Sequence, residues 1–270
     1  MRIVCSGAIG ISLSLEETFR AISELGFREM DLLLISGWAH IGLDELAADY
    51  STCARRVAQL LGKFQLSVAS VNAKYSVRLE DTGEDETRQR QLELDALLRF
   101  MADFGTDRAA VQPTLTDDSI YLQRTYSAFE RELVRQQQYG AERGVALSLE
   151  PHIRSAVCTN AALRGLLQPH PGLRITYDPS HLLCSGEEML STGYLFSHTS
   201  MVHLRDARKG ELFVPRGHGD LDLPFVIKGL KQAGYDGPIA LEYLSDGRDS
   251  AIYEDLLLFA ADVQRCIDKS

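Results

Sequence analysis

The chain has 270 residues, enough to bury a substantial core, and 45% of them are hydrophobic against 24% charged, an ordinary balance for a folded globular protein. The formal net charge is −10 and the isoelectric point about 5.2, which argues against a nucleic-acid partner, because phosphate binding asks for a basic face. No apolar run approaches the roughly 20 residues of a membrane span, the N-terminal apolar run is too short for a signal peptide, and the odd set Cys5, Cys53, Cys158, Cys184 and Cys266 has no metal-ligand spacing. A cytoplasmic protein with reduced cysteines and no membrane association is expected.

In chain order, strand-length apolar runs are predicted at Arg2–Cys5, Met30–Ile35, Ser67–Val71, Ala109–Gln112, Val145–Glu150, Arg174–Asp178, Met201–Leu204 and Pro238–Leu244. Several are apolar almost throughout, as parallel strands covered on both faces are. Ser14-Leu15-Glu16-Glu17 reads as a capping box that opens a first helix over Leu15–Leu25. The run Asp117–Arg143 is long and amphipathic, and Gly26, Gly105, Gly144 and Gly234 each follow an amphipathic run just before a strand, where a helix ends. Eight strands alternating with eight helices predict an α/β protein, a single (β/α)8 TIM barrel over residues 1–270, with a doubly wound open sheet as the competing arrangement.

Chemistry gathers at the ends of the last four strands. Glu150 ends Val145–Leu149, Asp178 ends Ile175–Tyr177, His203 lies in Met201–Leu204 and Glu242 follows Ile239–Leu241. A barrel brings strand C-termini to one face, and three carboxylates with one imidazole repel there unless a cation sits among them. Oxygen ligands with one imidazole suit Mn2+, Mg2+, Co2+ or Zn2+, and the lack of thiolates speaks against a structural zinc site. The expected cofactor is one divalent metal ion. Each carboxylate alone reads equally well as a helix cap or ion-pair partner. Their recurrence on successive strands carries the metal reading, helped by the cost of burying Glu150 and Glu242 unpaired after apolar runs.

The sequence resembles the xylose isomerase-like TIM-barrel superfamily, which includes sugar isomerases, ketose 3-epimerases and endonuclease IV. The resemblance is carried by Glu150, by Asp178-Pro179-Ser180-His181 as an Asp-x-x-His motif, by His203-Leu204-Arg205-Asp206, by the Gly-x-Gly turn at Gly217-His218-Gly219, and by Glu242. It implies that Glu150, Asp178, His203 and Glu242 hold the metal and that Glu150 and Glu242 are the acid/base pair of an isomerase or epimerase. Such an enzyme acts on a ketose through a metal-stabilised enediolate. It further implies that His181 binds a substrate oxygen and that Arg208 binds a hydroxyl or steadies negative charge. Many relatives are homodimers or homotetramers.

Departures from the relatives narrow the reading. Endonuclease IV uses three zinc ions and further histidines, yet Ser70-Val71-Asn72-Ala73 and Val111-Gln112-Pro113 offer none. Pro151-His152 stands where classical xylose isomerases carry a lysine. His152, Gln112 and Asn72 are candidate substrate contacts, Trp38 a candidate sugar-stacking ring, and Asp206 a candidate partner that orients an inner ligand. His40, His170 and His198 read as surface histidines. Ser245-Asp246-Gly247-Arg248 occupies a place where some barrels bind phosphate, and Asp246 points to an unphosphorylated substrate. The alternatives are a lyase of the 3-dehydroshikimate or inosose dehydratase type on the same site, and a non-catalytic sugar-binding barrel. In every case the partner is a small carbohydrate-like molecule.

Overall fold

The computed structural model describes residues 1–245 and 250–270. Eight parallel strands close into a barrel in sequence order: β1 (Arg2–Ser6), β2 (Glu29–Ile35), β3 (Ser67–Lys74), β4 (Arg108–Val111), β5 (Ala146–Leu149), β6 (Ile175–Tyr177), β7 (Thr199–Leu204) and β8 (Pro238–Leu241), with β8 pairing back onto β1. The helices between them are α1 (Leu15–Glu24), α2 (Leu43–Ala48), α3 (Tyr50–Phe64), α4 (Glu84–Phe104), α5 (Ser119–Ala141), α6 (Asn160–Leu167), α7 (Pro179–Cys184), α8 (Leu223–Gln232) and α9 (Ser250–Lys269). This is the predicted (β/α)8 barrel and excludes the open sheet. The crossover after β2 carries two helices, and the one after β6 carries the short α7 followed by a 3-10 segment, Met189–His198. Among the described residues, no helix is long and apolar enough to cross a membrane.

Local sequence sets the element ends. Ser14 caps α1 with the reciprocal Ser14–Glu17 box that the sequence predicts. Gly105 ends α4 in the left-handed conformation, φ 69°, where a side chain would be strained. The five cysteines are free.

The alternation of each strand divides the molecule into two interiors. Leu147 and Leu149, Ile175 and Tyr177, Val202 and Leu204, and Ile239 and Leu241 point outward into the main apolar core beneath the helices. The intervening residues point into the barrel. At its base, Val4, Ala69 and Ala240 form a small separate apolar cluster. Above them the lining turns polar: the Ser148 and Thr176 hydroxyls are 2.7 Å apart, and Ser70 donates to Asp31 at 2.7 Å. An irregularity at Met30/Asp31 shifts the β2–β3 register there. The expected end of β3 at Val71 falls short, since the strand runs on to Lys74.

Candidate metal centre

The inward positions at the C-terminal ends of β5 to β8 are Glu150, Asp178, His203 and Glu242. One ligand atom from each lies within 4.8 Å of all the others, and all four residues are buried. The four candidate ligands, separated by up to 92 positions in the chain, are therefore brought together by the barrel. His203 Nδ1 is 2.6 Å from Glu150 Oε1 and 3.4 Å from Glu242 Oε2. Burial opposes a charge on His203, but the Glu150 and Glu242 carboxylates outweigh it and hold the imidazole well above its ordinary pKa.

A buried arginine enters the same cluster. Arg205 places Nη2 at 3.0 Å from Asp178 Oδ2 and Nη1 at 3.2 Å from Glu242 Oε2, while its Nε donates to Ser180 Oγ at 2.9 Å. Burial works to raise the Glu242 pKa, yet Arg205 and His203 together pull it down to about 2. Burial wins at Asp178, whose pKa is raised in spite of Arg205.

Charge balance nevertheless leaves hydrogen-bonding capacity unused. Glu150 Oε2, His203 Nε2 and Glu242 Oε2 are buried and have no hydrogen-bond partner, since the approaches of Arg205 and His203 to Glu242 Oε2 lack hydrogen-bond alignment. Buried polar atoms are rarely left so; His203 Nε2 is turned toward Asp31, while the two unpartnered glutamate oxygens belong to the cluster and mark it as a place for a ligand. Around a cation with bonds of about 2.1 Å, ligand atoms stand no more than roughly 4.2 Å apart, so the cluster needs only a contraction of a few tenths of an ångström. Three carboxylates and one imidazole can bind a divalent metal ion, and the residues fit one.

Around the cluster, His181 on α7 accepts from Arg205 Nη2 at 3.0 Å through Nε2, and the Ile153 N–H approaches its Nδ1 at 3.4 Å. Arg205 Nη2 can only donate, which disfavours a proton on Nε2, and burial, with His152 and Arg205 nearby, holds the ring's pKa well below the ordinary value. His152 stacks on His181 with ring centroids 3.8 Å apart. Gln112 donates to Asn72 Oδ1 at 3.3 Å across β3 and β4, leaving the buried Asn72 Nδ2 unpartnered.

Other expected residues lie elsewhere. Arg208 is exposed and its guanidinium is taken by Glu211; Arg205 is the arginine that reaches the cluster. Asp206 is engaged by the following turn. Its carboxylate accepts the backbone N–H groups of Ala207, Gly217, Gly219 and Leu221, and so ties down the Gly-x-Gly turn. A Cβ on Gly219 would stand 2.1 Å from Asp206 Oδ1, which is why that turn takes glycine. Trp38 is 47% exposed and free of the apolar core. His40, His170 and His198 bond to Leu13 O, Glu130 and Leu173 O, away from the cluster. Of Ser245-Asp246-Gly247-Arg248, all but Ser245 lie outside the described residues.

One site residue escaped the sequence reading altogether. Asp31, fully buried on β2, stands 3.7 Å from His203 Nε2 on the side away from the cluster, held by Ser70 and by Ser6 at 3.4 Å. Burial raises its pKa to about 6 against the pull of His203. The available signal was a carboxylate inside the otherwise apolar run Met30–Ile35.

The sequence matches the xylose isomerase-like TIM barrel family over residues 19–263, and the chain belongs to that family. No curated protein matches it. Among solved structures, 3-keto-D-glucoside 4-epimerase YcjR from E. coli superposes with a TM-score of 0.73 at 19% identity, covering 97% of this chain and 99% of the epimerase. The IOLI protein with a bound zinc atom gives 0.71 at 15% identity, covering 100% and 99%. The probable 3-DHS dehydratase AsbF from Bacillus anthracis gives 0.68 at 16% identity, covering 98% and 99%. At identities this low the likeness establishes the fold, and the chemistry rests on the residues of this chain.

Proposed function

We propose that this protein is a divalent-metal-dependent isomerase or epimerase acting on a ketose or a related polyol-derived ketone, with Glu150, Asp178, His203 and Glu242 as ligands. The observation that carries the reading is the convergence of four buried ligand atoms within 4.8 Å of one another at the mouth of the barrel, with one carboxylate oxygen each of Glu150 and Glu242 left without a hydrogen bond. It is supported by the zinc atom in the IOLI structure and by the epimerase among the similar folds. Held by these four residues, a divalent cation would supply Lewis-acid polarisation of a substrate carbonyl and would offset the negative charge left when a neighbouring C–H proton is removed.

The chain's own groups do the rest. Glu150 on β5 and Glu242 on β8 approach the centre from different strands, so one carboxylate removes a carbon-bound proton and the other returns one to the opposite face. Arg205 fixes Asp178 and Glu242 in position. His181, held uncharged, binds a substrate oxygen, with His152 stacked behind it; Gln112 contributes on the β4 side. Arg208 stays in the loop as a rim residue.

Exchange of a substrate C–H proton with deuterated water, followed by NMR over a panel of ketoses and inososes with Mn2+, Co2+, Mg2+ or Zn2+, tests the reading. Glu150→Gln and Glu242→Gln are each expected to slow exchange by about 10²–10⁴-fold; unchanged exchange in both variants sinks the acid/base assignment. A second reading, elimination of water after the same proton removal, draws on the His152–His181 pair beside the cluster, which would relay a proton to a departing hydroxyl, and on the dehydratase among the similar folds. Loss of water in the product mass separates the two.

A further inference from the structure

Beyond the last core layer of β3, the face that carries Ser70 and Asn72 ends in Lys74. Ser70 reaches Asp31 inside the barrel and Asn72 receives Gln112, so by the two-residue period of the strand Lys74 stands on the same inward face, one step nearer the mouth. It borders a cavity of about 170 Å³ lined also by Tyr75, Ser76, Arg78, Gln112 and Thr114.

The cavity is built by a fixed wall. Tyr75 donates to Gln136 Oε1 at 2.9 Å, Glu93 takes the Ser76 N–H at 2.9 Å, and Arg90 holds the carbonyls of Arg78 and Asp81 at 2.8 and 3.0 Å. On the other side, Thr114 donates to Glu80 at 2.8 Å. Arg78 lies over the Tyr121 ring, 4.7 Å from its centroid.

Lys74 alone has no such partner. Among the described residues its ammonium has no hydrogen-bond or ion-pair partner, although the chain carries 38 acidic residues against 28 basic ones. Burial lowers its pKa and no neighbouring charge takes part. A half-buried cation without an anion, in a preformed cavity at the C-terminal ends of β3 and β4, is placed to receive the negative charge of a ligand.

Resting on the metal-dependent reading above, we propose that Lys74 binds an anionic group at the end of the substrate remote from the metal-binding carbonyl, so that the substrate is a sugar acid or similarly charged ketone rather than a neutral ketose. Among the described residues, the cations lining the cavity are Lys74 and Arg78, and the Arg78 guanidinium lies over the Tyr121 ring. One ammonium matches the single charge of a carboxylate better than the double charge of a phosphate.

The test uses the Mn2+-loaded full chain and three related probes, D-fructose, D-fructuronate and D-fructose 6-phosphate, titrated calorimetrically against wild type, Lys74→Gln and Lys74→Arg. Fructuronate is expected to bind about tenfold more tightly than fructose. Lys74→Gln should abolish that preference while leaving fructose binding and metal content unchanged, and Lys74→Arg should keep part of it. The same Lys74-dependent preference for the phosphate ester upholds the anion site and assigns it to a phosphorylated substrate. Equal affinity for neutral and charged probes, a preference that survives in Lys74→Gln, or binding of none of the three overturns the proposal. A wild-type protein that takes up no metal fails the preceding reading instead, and metal analysis of the same samples separates that outcome.

Discussion

Among the described residues, the buried charges around Arg90 and those around His203 are built on opposite principles. Outside the barrel, between α4 and α5, Arg90 is 3% exposed and donates to Glu132 at 2.9 Å and to two loop carbonyls. Glu132 in turn accepts from Arg135 and Gln136. None of these side-chain atoms is left without a partner. Inside the barrel, Glu150, His203 and Glu242 are at least as deeply buried for the most part, yet each keeps an orphaned atom. A saturated network needs nothing further and holds structure together. An unsaturated one stores capacity for a ligand, at a cost in stability that the surrounding barrel carries.

The sharpest way to break the comparison is to remove one member of each. Arg90→Ala leaves Glu132 to Arg135 and Gln136 but releases the carbonyls of Arg78 and Asp81, and the loss of three charge-assisted hydrogen bonds should destabilise the fold by about 2–4 kcal/mol. Urea unfolding of the metal-loaded protein measures this, and calorimetry should find metal affinity little changed. A loss of metal binding with unchanged stability would mean that the saturated network is also part of the site.

Smaller, and confined to one loop, is the effect expected for Asp206→Asn. Its amide nitrogen would face backbone donors that now meet a carboxylate oxygen, so two of the four bonds at the Gly217–Gly219 turn are lost. A destabilisation of about 1–3 kcal/mol follows, with faster amide exchange at Gly217 and Gly219. Loss of metal affinity without local loosening would return Asp206 to the orienting role that the sequence suggests.

The same two networks show what the sequence discloses. The barrel is legible because buried parallel strands write continuous apolar runs, and the four strand-end residues are legible because each interrupts such a run at its end. Arg205 and Arg208 both follow His203, and the strand's alternation separates them: position 205 keeps the inward parity of 203, whereas Arg208 falls in the turn and pairs with Glu211. Lys74 was out of reach once β3 was ended at Val71. Asp31 was hidden for another reason: a register irregularity sits at Met30/Asp31, and nothing in the sequence of β2 reports a histidine 172 positions away.

Asp31 offers the finest test of what an unsaturated cluster requires. A ligating imidazole presents one nitrogen to the metal, and the other is commonly held by a carboxylate that fixes both tautomer and orientation. His203 has the layout for this: Nδ1 faces Glu150 and Glu242, and Nε2 faces Asp31 at 3.7 Å. A small shift of the ring toward Asp31 would complete an Nε2–H···O bond and leave the Nδ1 lone pair free. Asp31→Asn keeps the size of the side chain and its bond with Ser70 while removing the charge. The expected result is a 10–100-fold weaker affinity for Mn2+ or Zn2+, little change in stability of the metal-free fold, and a loss of the single Nε2–H tautomer in the ¹⁵N spectrum of His203. Arg90→Ala should move none of these readouts. If Asp31→Asn binds metal as tightly as wild type and His203 keeps its tautomer, Asp31 is another closed part of the scaffold, and the line between the two networks must be drawn above it.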